Sequence, residues 1–137
     1  EMVDTFVRHM KGAKEKYVYA MGIGYSMVAI DYISRKCVRD GYRLIYTESL
    51  GELSEFEDNV GIMVSESGET QLVIDEAEKC RQHGYFTIAF LRNENSRLRK
   101  MVDLPIIIPK EEWEDELQIN TFVSNTIIAF QLLFSQL

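Results

Sequence analysis

The sequence predicts an α/β fold, a three-layer α-β-α sandwich with a five-stranded parallel sheet, as a single domain over residues 1–137. Two observations support this prediction. Short apolar runs alternate with helical patterns along most of the chain. The runs are almost continuously apolar instead of alternating with polar residues, which is typical of strands in a parallel sheet covered by helices on both faces.

The elements are predicted in chain order from apolar periodicity and from stop signals. Val3, Phe6, Val7 and Met10 indicate an opening helix that ends near Gly12. The predicted strands are residues 17–21, 43–46, 60–64, 86–91 and 105–108. The helices are predicted at residues 27–39 and 71–83, with a short helix or turn at 50–56, a short helix at 96–101 and a last helix at about 117–135.

Composition excludes several classes of function. The chain has 137 residues and a net charge of −7, which argues against nucleic acid or an anionic membrane as its direct partner. Its most apolar stretch, the C-terminal one, is interrupted by polar residues and is too short to span a bilayer. Cys37 and Cys80 lie far apart in helical patterns, so we expect buried reduced thiols and a cytoplasmic protein, with no metal or other cofactor.

The first residue is Glu1, not an initiator methionine. We therefore expect the sequence to be a domain or fragment of a longer protein, so that function depends partly on a segment absent here.

The turn after the third predicted strand has the composition of an anion site. Ser65, Ser67 and Thr70 supply three hydroxyls within six residues, Gly68 allows close backbone approach, and a helix follows at once. Free N–H groups and the peptide dipoles of a helix N-terminus favour a phosphate group. The alternative is that Ser67 or Thr70 merely caps the helix.

The first strand is followed by a tight turn, Gly22 to Ser26. In a parallel sheet this turn and the Ser65–Thr70 turn lie at the same edge, where ligands of such sheets bind. Gly22 and Gly24 also begin a dinucleotide fingerprint, with Glu48 as the acid that would bind a ribose. However, the third glycine position holds Met27, which argues against that alternative.

Three motifs of the chain resemble the sugar isomerase (SIS) domain, a phosphosugar-binding α/β fold of the flavodoxin-like or Rossmann-like type. Gly22–Ser26 is similar to that family's Gly-x-Gly-x-Ser turn, and Ser65–Thr70 to its Ser-x-Ser-Gly-x-Thr signature. Residues 95–98 and 102–103 resemble the loop after the fourth strand, although Ser96 is expected to cap a helix. The resemblance implies that a phosphosugar is bound by Ser26, Ser49, Ser65, Ser67, Gly68 and Thr70.

The resemblance leaves two functions open. One is the effector domain of an RpiR-type transcriptional regulator, which senses a sugar phosphate as a homodimer and contacts DNA only through an N-terminal helix-turn-helix domain. The other is a sugar-phosphate aldose–ketose isomerase, for which Glu116 is the weak candidate base, with Glu111 and Glu112 behind it. The acidic run around Glu116 is also typical of a solvated loop before a helix. His9 and His83 are expected to be structural.

Overall fold

A computed structural model describes residues 1–45 and 58–137 and confirms the predicted sandwich. Its sheet is five-stranded and wholly parallel, in the order β2-β1-β3-β4-β5. The strands are β1 Tyr17–Gly22, β2 Arg43–Leu44, β3 Val60–Val64, β4 Phe86–Leu91 and β5 Leu104–Ile107. Three predictions lie outside the described residues, namely Ser49, Glu48 and the helix or turn at 50–56.

Six α-helices and one 3₁₀ helix occur in the described ranges. They are α1 Met2–Gly12, the 3₁₀ helix Ala13–Glu15, α2 Ser26–Arg39, α3 Gln71–Gln82, α4 Arg97–Met101, α5 Trp113–Leu117 and α6 Phe122–Phe134. Helices α1, α2 and α6 cover one face of the sheet through residues such as Phe6, Ile33 and Phe130. Helices α3 and α4 cover the other face through Val73, Cys80 and Leu98.

The prediction of one last helix from about residue 117 is wrong. The chain instead forms the short α5, which ends at Gln118 in the left-handed conformation with φ 53°, and starts α6 at Phe122. The Glu114 carboxylate accepts hydrogen bonds from the backbone N–H of Glu111 at 2.6 Å and of Thr121 at 3.0 Å. The bond to Thr121 stabilises the break, because it satisfies an N–H group that a helix continuing from Leu117 would have paired internally.

Helix α3 lies unusually close to the central strand. A Cβ at Gly61 of β3 would lie 2.9 Å from Sγ of Cys80, so only glycine permits this spacing. Both Cys80 and Cys37 are free and buried, as predicted, and burial raises the pKa of each thiol to about 12. Among residues 1–45 and 58–137, no helix combines the length and apolar character needed to cross a bilayer.

Candidate functional site

The strand order places a crevice between the carboxyl ends of β1 and β3. The helix after β1, α2, packs on one face of the sheet, whereas the helix after β3, α3, packs on the other. Connections that diverge in this way from neighbouring strands leave an open crevice, which is where ligands of such sheets bind. The Gly22–Ser26 and Ser65–Thr70 turns both border it, as the sequence predicts.

The hydroxyls of the Ser65–Thr70 turn are ordered by local hydrogen bonds. The Oγ of Ser65 lies 3.2 Å from Oγ1 of Thr70 and accepts a bond of 3.1 Å from the backbone N–H of Gly68. The Oγ of Ser67 accepts from the backbone N–H of Glu69 at 3.1 Å. These bonds fix the direction of three hydroxyl groups within one short turn.

Helix α3 begins at this turn without a side-chain cap. Thr70 occupies the N-cap position in an extended conformation, yet its hydroxyl makes no capping hydrogen bond. Ser67 bonds within the turn and not to the helix. The alternative that one of these residues simply caps α3 is therefore wrong, and the first turn of the helix keeps N–H groups that can bind an anion.

A cavity of about 800 Å³ opens at this helix start. Ser26, Ser65, Ser67 and Thr70 all line it, so the structure brings together four of the predicted binding residues. Ser26 is the first residue of α2, so the cavity lies between the N-termini of two helices. Its apolar lining comes from the ends of β1 and β3 and the first turns of α2 and α6, namely Ile23, Tyr25, Val28, Val64, Phe122 and Val123.

Gly68 is required by packing behind the cavity. Its φ is +65°, and a Cβ there would overlap Oγ of Ser96, which is completely buried. Ser96 in turn caps α4, as predicted, because its Oγ accepts from the backbone N–H of Arg99 at 3.2 Å. A direct role for Gly68 in ligand binding stays a prediction, since the described cavity lining does not include it.

Arg92, directly after β4, is one of the residues of the site that sequence reasoning missed, together with Glu66 and Asn120. Its guanidinium bonds Glu114 at 3.1 Å and Glu66 at 3.4 Å, and stands over the ring of Phe122 at 5.6 Å. Asn120 completes the cluster by donating to the Glu66 carboxylate at 2.9 and 3.2 Å. The sequence pointed to Arg92 only through its position, because this residue opens the loop that is predicted to follow β4 at the ligand-binding edge of the sheet.

Glu114 and the predicted candidate base Glu116 lie in different surroundings. Glu114 is only 2% exposed, and hydrogen bonds from the backbone of Thr121 and Glu111, with Arg92 beside it, lower the pKa of its carboxyl to about 2. Glu116 is exposed on α5, and the described lining of the cavity does not include it. The structure therefore does not bring the predicted candidate base to the cavity.

The histidines also lie outside this lining. The ring of His9 stacks on Phe86 with centroids 3.5 Å apart, and His83 ends α3. Within the two described ranges, histidine, cysteine, aspartate and glutamate form no group of three or more that could hold a metal ion.

Known proteins share this architecture, although no model of a known protein family matches the chain. An uncharacterised HTH-type transcriptional regulator from Clostridium perfringens is 28% identical over 102 residues, which cover 71% of this chain and 37% of the regulator. The chain thus spans little more than a third of the length of that curated relative.

Solved structures establish the fold. The sugar isomerase domain of an RpiR transcription factor from Sphaerobacter thermophilus gives a TM-score of 0.77 at 16% identity, over 98% of this chain and 75% of that one. NanR from Vibrio vulnificus, complexed with ManNAc-6P, gives a TM-score of 0.79 at 18% identity. The match covers 98% of this chain and 52% of NanR. A protein from E. coli CFT073, also solved as a complex, gives a TM-score of 0.68 at 25% identity. The match covers 91% of this chain and 69% of that protein.

The chain therefore has the fold of sugar isomerase domains, with a hydroxyl-lined cavity at its topological switch point. The predicted resemblance to the sugar isomerase domain of RpiR-type regulators is confirmed.

Proposed function

We propose that this chain binds a phosphorylated sugar and acts as the effector-sensing domain of a transcriptional regulator. The observation that carries the proposal is the uncapped start of α3, which opens into the cavity beside Ser65, Ser67 and Thr70. A phosphate monoester would accept hydrogen bonds from these hydroxyls and from the N–H groups of the first helical turn.

The relatives support both parts of this proposal. NanR from Vibrio vulnificus is described as complexed with ManNAc-6P, so this fold holds a phosphosugar elsewhere. The curated relative is an HTH-type regulator that is much longer than the aligned region. We accordingly assign DNA contact to a separate N-terminal helix-turn-helix domain, which suits the net charge of −7.

We further propose a cytoplasmic homodimer. The free thiols of Cys37 and Cys80 suit a reducing compartment. Helices α2 and α6 are neighbours, since Gln131 donates to the Tyr32 hydroxyl at 2.9 Å. Large apolar side chains on these two helices stay more than half exposed in the monomer, namely Met27, Val28, Val38, Ile128 and Leu132. A second copy of the chain would remove them from water.

The signal would be a shift of population between two dimer arrangements. A ligand in the cavity touches the start of α3 on one side and Ser26, the first residue of α2, on the other. Because α2 also carries part of the exposed apolar face, an arrangement that closes on the ligand would be stabilised by binding.

The test is calorimetric titration of the double variant Ser67→Ala with Thr70→Ala. Hydrogen bonds to a charged group contribute about 1.5–3 kcal/mol each, so two lost hydroxyls should weaken sugar-phosphate binding by at least about a hundredfold. Thr70→Ser keeps a hydroxyl and should bind more tightly than Thr70→Ala. Ser135→Ala, at the exposed end of α6, is the control and should bind like wild type. Unchanged binding by the double variant would reject the site.

The isomerase alternative is separated by following the ligand. A thermal-shift screen against sugar phosphates identifies stabilising compounds, and each one is then incubated with the chain and analysed for its isomer. Recovery of the unchanged compound supports the proposed effector-sensing function. Conversion to the corresponding aldose or ketose establishes an enzyme, and Glu116→Gln then tests whether the predicted carboxylate is its base.

A further inference from the structure

The cavity has an unusual distribution of charge. Among the described residues that line it, Glu66 and Arg92 carry the charged side chains. The hydroxyl side of the cavity, from Ser65 to Thr70, contains no lysine or arginine. Whether the cavity accepts a second anionic group, in addition to a phosphate at α3, therefore depends on whether Arg92 is available.

Arg92 is fully engaged by the protein. A guanidinium has five N–H donors, and here Nε bonds the Ile108 carbonyl at 3.2 Å while Nη1 and Nη2 share contacts to Glu114, Glu66, Asn120, Thr121 and the Pro109 carbonyl. Its side chain is 11% exposed. The paired Glu114 is ionised at neutral pH because its pKa is lowered to about 2, so it balances the positive charge of Arg92.

Glu66 is left as the charge that faces a ligand. Its side chain is 41% exposed at the cavity, and Asn120 and Arg92 hold the carboxylate in place. A carboxylate offers about four acceptor positions, and the protein makes three contacts to this one, so Glu66 can still accept a hydrogen bond. Arg92, Glu114 and Glu66 together carry a net charge of −1.

Among the described residues that line the cavity, Arg92 is the one cation, so no other lysine or arginine of that lining compensates Glu66. Arg97 is engaged by Glu69, with Nε 2.6 Å from Oε1. In sequence, residues 46–57 include four glutamates and no lysine or arginine. A ligand group beside Glu66 therefore meets a fixed negative charge that accepts hydrogen bonds.

We infer that Glu66 determines specificity for a phosphate monoester whose remaining groups are uncharged hydroxyls, and that it excludes ligands with a second anionic group. The inference rests on the proposed function, because it assumes that phosphate occupies the start of α3. A sugar hydroxyl can donate to Glu66, whereas a carboxylate or second phosphate beside it would be repelled by its negative charge.

The experiment compares each aldose phosphate with the aldonate formed by oxidising its C1, for a hexose 6-phosphate and a pentose 5-phosphate, by calorimetry. Wild type should bind the aldose phosphate at least about tenfold more tightly than the aldonate. Glu66→Gln keeps the size of the side chain and removes its charge. It should reduce this ratio to below about threefold, by strengthening binding of the aldonate.

Glu69→Gln is the matched control. It removes the same charge three residues away, at a side chain that pairs with Arg97 and is not part of the described cavity lining. It should keep the wild-type ratio. Equal binding of aldose phosphate and aldonate by wild type, or a ratio unchanged in Glu66→Gln, would overturn the inference while leaving the proposed function intact. Failure of every sugar phosphate to bind wild type and both variants would instead reject the proposed function, and the inference with it.

Discussion

Replacing Gly68 by alanine should destabilise the domain through two separable effects. The residue has φ +65°, and an L side chain in this left-handed region costs about 1–2 kcal/mol. The added Cβ would also lie well inside 3.0 Å of both Oγ and Cβ of the buried Ser96. Overpacking of this kind costs about 1–3 kcal/mol, so we expect a total loss of about 2–5 kcal/mol in the free energy of unfolding.

Gly84→Ala separates the two effects. Gly84 has φ +79° at the end of α3, but a Cβ there would meet no atom within 4 Å. Urea denaturation monitored by circular dichroism should show the backbone cost alone in Gly84→Ala, leaving Gly68→Ala about 1–3 kcal/mol less stable than this control. In a Ser96→Gly background, where the obstructing side chain is gone, Gly68→Ala should cost about as much as Gly84→Ala. Equal losses for Gly68→Ala and Gly84→Ala in the otherwise unaltered protein would refute the steric argument.

Two further predictions concern the cluster beside the cavity and the exposed apolar face. The Glu114 carboxyl has a pKa of about 2 against an ordinary 4.5, so its stabilising effect is complete above pH 4.5 and is lost as pH falls towards 2. Urea denaturation at stepped pH should therefore show a smaller loss of stability over that range in Glu114→Gln than in wild type. A loss of the same size in both would contradict the assignment. Leu132→Glu, on α6, should give a monomer in sedimentation velocity, whereas Leu72→Glu, similarly exposed on α3 across the sheet, should leave a dimer. A dimer in both variants would place the interface elsewhere.

Most of the fold could be predicted because local patterns agree with the tertiary structure. Strands such as Val60–Val64 are buried at every position, so their apolar runs are uninterrupted. Helix ends such as that of α3 coincide with glycine. The break between α5 and α6 could not be predicted, because the apolar pattern of Leu117 and Ile119 continues across it. Both side chains are instead exposed, and the break is held by the Glu114 carboxylate.

The hydroxyl half of the site could be predicted because its residues lie within two motifs, Gly22–Ser26 and Ser65–Thr70, whereas the charged half could not. Glu66 lies inside the second motif, but Arg92 follows β4 and Glu114 and Asn120 lie in the region of α5 and α6. No spacing in the sequence connects these places. The acidic run suggested Glu116, the neighbour two positions along. Only the turn of α5 decides which carboxylate of that run faces Arg92 and which faces solvent.

The contact between Gly61 and Cys80 has a consequence for the candidate anion site, which lies at the other end of α3. It lies near the C-terminal end of α3, whereas the candidate anion site is at the N-terminal end of the same rigid helix. A larger side chain at either position would lift one end of α3 from the sheet and tilt the other, moving the free N–H groups relative to Ser26. Residues 61 and 80 should therefore vary together during divergence of this domain. Either both side chains stay small, or a larger one is accompanied by a compensating shift of the helix. Substitutions more than two helical turns from the cavity could in this way retune the affinity for an anion without touching it.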